Sequence, residues 1–146
     1  MEGSLHYEQD PDANDDPDNA GRLALLKRPN GGVIERFPAH PHEGDVGAPA
    51  SDPTARVIVT GTSKATRRPF NIAVAFEPGK RAGKTVGGGV AQSTFHHFCD
   101  YNWDTSAGCP SFVSEQPGGQ IAAGGAHALD DIKTYVGNIA RWLSIR

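Results

Sequence analysis

The chain has 146 residues, a length that fits one domain, with 37% hydrophobic residues and a formal charge of -3 at neutral pH. No apolar run approaches the ~18 residues that span a bilayer, and two Cys are too few for a disulfide scaffold. With 18 Gly and 11 Pro, many residues must lie in turns, so the core is expected to be modest.

Met1-Glu-Gly-Ser-Leu-His6 has no basic region followed by an apolar one, so no secretory signal is read there and a cytoplasmic protein is expected. Cys99 and Cys109 are then expected to be reduced thiols. Residues 1–21 hold Glu2, Glu8, Asp10, Asp12, Asp15, Asp16 and Asp18 and no Lys or Arg. Nothing in that stretch is cheap to bury, so it reads as an irregular acidic arm preceding one domain over 22–146. The remainder is correspondingly basic, above all between Arg56 and Lys84, where Arg56, Lys64, Arg67, Arg68, Lys80, Arg81 and Lys84 face only Glu77.

Gly31-Gly32 predicts a turn and 33–37 a short strand. Pro38, Pro41 and Pro49 then enforce a looped path. Residues 55–60 predict a strand. A polar, basic connection follows over 62–68. Residues 70–77 predict a second strand, whose nearly continuous apolar run suits burial on both faces. After a turn over 77–83, residues 85–95 predict a third strand, weakened at its start by Gly87-Gly88-Gly89. The last element is an amphipathic helix over 129–143. Leu129, Ile132, Tyr135, Val136, Ile139, Trp142 and Leu143 recur at spacings of three and four. Asp130 and Asp131 lie in its first turn, and Arg141 lies in its last. The expected fold is α/β: a small mixed β-sheet with the C-terminal helix packed on one face, preceded by the acidic arm.

The densest group of reactive side chains is Ser93-Thr-Phe-His-His-Phe-Cys-Asp-Tyr-Asn-Trp-Asp104. If a strand continues through it, His96 and His97 point to opposite faces. If a helix begins, His96, Cys99 and Asp100 share a side. His40-Pro-His42-Glu43 places two further imidazoles on one face of an extended backbone. Catalytic candidates are therefore His96, His97 and Asp100. His40, His42, His96, His97 and Asp100 are the candidate ligands for Zn²⁺ or Fe²⁺, with Glu43 or Asp104 as general base of a small hydrolase. A polar, hydrogen-bonded corner without metal is the competing account.

Three other motifs are weaker. Gly79-Lys-Arg-Ala-Gly-Lys-Thr85 has three residues where a phosphate-binding P-loop needs four between its glycines, and Pro78 offers no N–H, so a basic β-turn is expected. Neither Cys sits in a nucleophile elbow, and no Gly-x-Ser-x-Gly occurs. Arg67, Arg68, Lys80, Arg81 and Lys84 could hold an anionic ligand or nucleic acid, but aromatics do not alternate with them as a stacking platform requires.

Val90-Ala-Gln-Ser-Thr-Phe-His-His97 followed by Asp130-Asp-Ile-Lys-Thr-Tyr-Val-Gly-Asn-Ile-Ala-Arg-Trp-Leu143 resembles the end of ThuA-like and class I glutamine amidotransferase-like domains. In those a late strand ends in a His and leads through a loop to a closing helix. The likeness covers roughly 55–143 in element order and carries over only His96 or His97. The upstream parallel strands and the elbow of those domains have no counterpart here. The resemblance therefore implies a truncated or divergent relative without amidotransferase chemistry, whose exposed sheet another chain should cover. It points to an interaction subunit or homo-oligomer. The composition gives no membrane partner and no cofactor beyond the candidate Zn or Fe, and an anionic ligand or nucleic acid held by the basic 56–84 region is the weakest alternative.

Overall fold

Two long strands and one helix carry most of the buried apolar residues. The computed structural model of the chain describes residues 24–34, 44–63, 66–94, 98 and 128–144. Strands β1 (Ala55–Thr62), β2 (Pro69–Phe76) and β5 (Gly89–Gln92) form a sheet in the order β1-β2-β5. Strands β3 (Gly79–Arg81) and β4 (Lys84–Val86) form a separate two-stranded ribbon. Helix α1 (Ala128–Ser144) closes the described part of the chain. The expected α/β arrangement of a small sheet and a C-terminal helix is present. All described pairings are antiparallel, where a mixed sheet is expected from the sequence. The acidic arm over 1–21 lies outside the described residues.

β2 is the central strand because it alone has the composition for burial on both sides. Ile72, Ala73, Val74 and Ala75 are all buried. Ala73 and Ala75 belong to the cluster that also holds Ile58, Ile132 and Tyr135, so their small side chains face the helix and leave room for the Tyr135 ring. Ile72 and Val74 alternate onto the opposite face. The β1–β2 register shifts between Val57 and Val59 and again between Val59 and Thr60. Such an irregularity re-aims side chains. It brings the neighbours Ile58 and Val59 both against the helix-side cluster.

The third predicted strand is broken in two. β4 ends at Val86, Gly87 and Gly88 intervene, and β5 starts at Gly89. Gly88 has a packing reason to be Gly. A Cβ built on it would lie 2.8 and 2.9 Å from two ring atoms of Trp142, so the indole rests on bare backbone. Gly88→Ala is expected to cost about 1–2 kcal/mol by overpacking, measured by urea denaturation. A change below the error of the measurement would mean that the indole moves aside freely.

Residues 24–34 form a return that packs under α1. Ile34 N–H donates to the Leu26 carbonyl at 2.8 Å, Arg28 N–H to Gly32 at 3.1 Å and Gly31 N–H to Arg28 at 3.2 Å. Gly31 and Gly32 take φ of 89° and 82°, which fits the predicted turn and explains why both are Gly. Residues 35–37 of the strand predicted after this turn lie outside the described residues, and Val33 makes only an isolated bridge to Lys27.

Helix α1 clamps this return with two polar side chains as well as apolar ones. Asn138 Nδ2 donates to the carbonyls of Leu25 and Lys27 at 3.0 and 2.8 Å. Arg28 meets Asp131 through two parallel bonds, Nε to Oδ1 at 2.8 Å and Nη2 to Oδ2 at 2.7 Å. Asp131, Tyr135, Asn138 and Trp142 succeed one another at spacings of four, three and four, so they share the buried side of the helix. Of the helix face predicted from periodicity, Ile132 and Tyr135 are fully buried, and Val136, Ile139 and Trp142 are partly so. Leu143 is exposed, a departure from the prediction. Among the described residues, no helix is long and apolar enough to cross a membrane.

Candidate functional site

Residues of β5 and of the last turns of α1 line a common groove, which is the start of a site. The strand is only four residues long and ends where the Ser93–Asp104 segment begins. The side chains of Val90 and Gln92 point to the helix side of the sheet, since they pair opposite Ala75 and Ala73. Ile139 and Leu143 come from one side of α1, four residues apart. Together with Ser93, Thr94 and Phe98 these residues line an open groove of about 460 Å³.

The groove has a polar floor and an apolar rim. Ser93 and Thr94 are buried, and the Ser93 N–H donates to the Ile72 carbonyl at 2.8 Å, which extends the β2–β5 pairing past Gln92. Gln92 Nε2 donates to the Tyr135 hydroxyl at 3.0 Å. Burial pushes the ionisation of that hydroxyl upward from the ordinary tyrosine range, so it stays protonated and neutral at physiological pH. Among the described residues Phe98 and Leu143 are the large apolar side chains that stay exposed, at 45% and 46%, and both lie at this groove. Such a surface can hydrogen-bond and bury apolar groups. None of its described lining side chains has the ionisation behaviour of a general base at neutral pH.

The residues singled out from the sequence stand apart from this description. His40, His42, Glu43, His96, His97, Cys99, Asp100, Asp104 and Cys109 all lie outside the described residues, so the candidate catalytic set and the candidate Zn or Fe ligands do too. Among the described residues no group of three or more His, Cys, Asp or Glu could hold a metal ion. The groove nonetheless coincides with the start of the segment the sequence marked. Phe98 within it, and Leu143 at the end of the apolar helix pattern, are the residues that sequence reasoning did not assign to a site. Periodicity counts Leu143 as core, and only the packed structure shows that it is left exposed.

The basic positions separate. The expected P-loop look-alike is a β-hairpin, β3 and β4 joined by Ala82-Gly83, as the sequence anticipates. Arg67 and Arg68 sit in the connection before β2, and Lys80 and Lys84 in the hairpin after it. The two groups are therefore attached at opposite ends of an eight-residue strand, a span of about 23 Å. Arg56 is occupied elsewhere, donating from Nη1 to the Pro53 and Ala55 carbonyls at 2.6 and 3.0 Å.

No family model matches the chain, no curated protein matches it, and no solved structure matches it.

Proposed function

We propose that this chain is an interaction domain that works as a homo-oligomer through the groove between β5 and the end of α1. The observation that carries this reading is the pairing of an open, part-apolar hollow with two exposed apolar side chains, Phe98 and Leu143, at the same place. A hollow lined in part by exposed apolar groups offers a two-fold-related copy both a place to enter and a surface to bury, as an isologous interface requires. A second copy is therefore the occupant that needs no further component. Burying one Leu contributes about 1.5–3 kcal/mol, so two symmetry-related rims supply a substantial part of a micromolar affinity of about 8 kcal/mol.

Kinship with ThuA-like and amidotransferase-like domains belongs to the same proposal. The order of strand, polar segment and closing helix supports it, while the antiparallel pairings depart from the parallel strands of those domains. The interaction reading rests on the groove and does not need that kinship.

Light scattering on the full chain at micromolar concentration tests the proposal. The expected mass is twice that of the chain. Leu143→Asp is expected to weaken self-association about 100-fold, since it places a charge in a buried apolar contact. Lys133→Asp, at an exposed position earlier in α1, is expected to leave it unchanged. A monomer across the micromolar range, or a dimer indifferent to Leu143→Asp, overturns the reading.

A further inference from the structure

The β3–β4 hairpin has no part in the groove and little part in the core. It forms its own two-stranded sheet, and Lys80, Ala82, Gly83, Lys84 and Thr85 are all exposed. A two-stranded ribbon is marginal in water by itself. This one also carries a non-optimal turn: Ala82 and Gly83 take φ of 48° and 77°, the left-handed pair that favours Asn-Gly over Ala-Gly. The hairpin is therefore not explained by the stability it contributes.

Its charge is one-sided in sign and two-sided in space. Lys80, Arg81 and Lys84 fall within five positions, and no Asp or Glu occurs from Pro78 to Cys99. Beyond the backbone pairing of the ribbon, neither the Lys80 nor the Lys84 side chain has a hydrogen bond or ion pair with a described residue. Lys80 pairs opposite Thr85, and Lys84 pairs at the next position along the ribbon, so the two lysines occupy opposite faces. The tip between them, Ala82-Gly83, is the least bulky part of the hairpin.

We infer that the β3–β4 hairpin is a contact element for double-stranded nucleic acid that enters a groove tip first, with Lys80 and Lys84 reaching the phosphates on its two flanks. A groove has negative walls on both sides, and the major groove, about 12 Å wide, admits a two-stranded ribbon. An acidic protein surface would reward cations gathered on one face instead. Single strands are recognised largely by stacking on aromatic side chains, and residues 77–94 contain none. Small residues at the tip let the backbone approach the floor of the groove closely. The mode is one of phosphate contact without base readout, so binding is expected to be weak and independent of sequence.

The experiment is fluorescence anisotropy of a labelled duplex DNA of mixed sequence titrated with the full chain at several salt concentrations. The two lysines predict a slope of log affinity against log salt of about -1.8, an affinity loss of about 12-fold between about 50 and about 200 mM salt. Lys80→Gln with Lys84→Gln, both exposed positions, is expected to flatten the slope and to weaken binding at the lower salt at least about tenfold. Arg67→Gln with Arg68→Gln, at the other end of β2, is expected to change neither. Thermal unfolding of each variant confirms that it is folded. No measurable duplex binding at the lower salt, a slope unaltered by the lysine substitutions, greater loss from the arginine substitutions, or tighter binding of polyglutamate than of duplex each overturns the inference. Because Leu143 lies outside the hairpin, a Leu143→Asp chain that still binds duplex separates this result from the fate of the groove proposal.

Discussion

Tyr135→Ala is expected to lower stability by about 3–5 kcal/mol, the range for removing a large buried aromatic. The ring is fully buried beside Ile132, Ala73 and Ala75, and it lies where the sheet, the helix and the return over 24–34 meet. A domain of this size has only about 5–15 kcal/mol in all, so a large share of the fold depends on this one side chain. Urea denaturation measures the loss. A cost below about 1.5 kcal/mol would show that the three elements close over the vacancy and that Tyr135 is not the centre of the core.

Tyr135→Phe separates the ring from its hydroxyl, and pH makes the separation sharp. At neutral pH the substitution removes the acceptor of the Gln92 amide, worth about 1 kcal/mol. In alkali the comparison is expected to reverse. The ordinary tyrosine value is near 10. Burial raises the value in the folded chain, because ionisation would strand a charge away from water. The unfolded chain thus loses its proton first. The stability tied to the neutral hydroxyl is complete below the unfolded value and falls as pH rises through it towards the folded value, by about 1.4 kcal/mol per pH unit. The Tyr135→Phe chain has no such loss, so the two stability curves are expected to cross near about pH 11. Parallel curves from neutral pH into alkali would mean that the hydroxyl reaches water.

What could be seen from the sequence, and what could not, follows from which interactions are local. β2 is an apolar run, and α1 repeats at three and four, so both are written in neighbouring residues and appear where expected. The weakness at Gly87-Gly88-Gly89 is local as well, but the packing that requires Gly88 is not, because the Trp142 ring it meets lies more than fifty positions later. The short connection around Lys64 makes β1 and β2 a hairpin and so antiparallel, whereas the direction of β5 depends on which strand it pairs with and is not written in its composition. Asp131 looks like an acid favouring the helix N-terminus, and Asn138 like a surface amide. Their partners, Arg28 and the Leu25 and Lys27 carbonyls, lie more than one hundred positions away. The groove had one local signal, the dense segment from Ser93. Of its rim, Phe98 falls within that segment, whereas Leu143 has no such signal, since it repeats with the core face of α1 and differs only in being left exposed.

The Arg28–Asp131 pair gives an asymmetric result when it is broken from either side. Asp131 keeps only 8% of its side-chain exposure, whereas Arg28 keeps 32%. Arg28→Met leaves a carboxylate buried without its guanidinium and is expected to cost about 3 kcal/mol. Asp131→Leu leaves the part-exposed Arg28 side chain in contact with water, so about 1–2 kcal/mol is expected, part of it the lost attraction of an acid for the helix N-terminus. In the double variant Arg28→Met with Asp131→Leu no charge is stranded, and two apolar groups of similar size take the place of the pair. Its cost is expected to be smaller than that of Arg28→Met alone, a coupling of about 2 kcal/mol in a double-mutant cycle. Urea denaturation of the four chains measures it. The physical point is that the pair matters chiefly through the penalty for leaving Asp131 alone: it holds the return over 24–34 in one register against α1 and adds little net stability. Equal costs from the two single variants, or strictly additive costs in the double, would show instead that water reaches Asp131, leaving Asn138 and the apolar contacts of Leu25, Leu26 and Ile34 to hold the return in place.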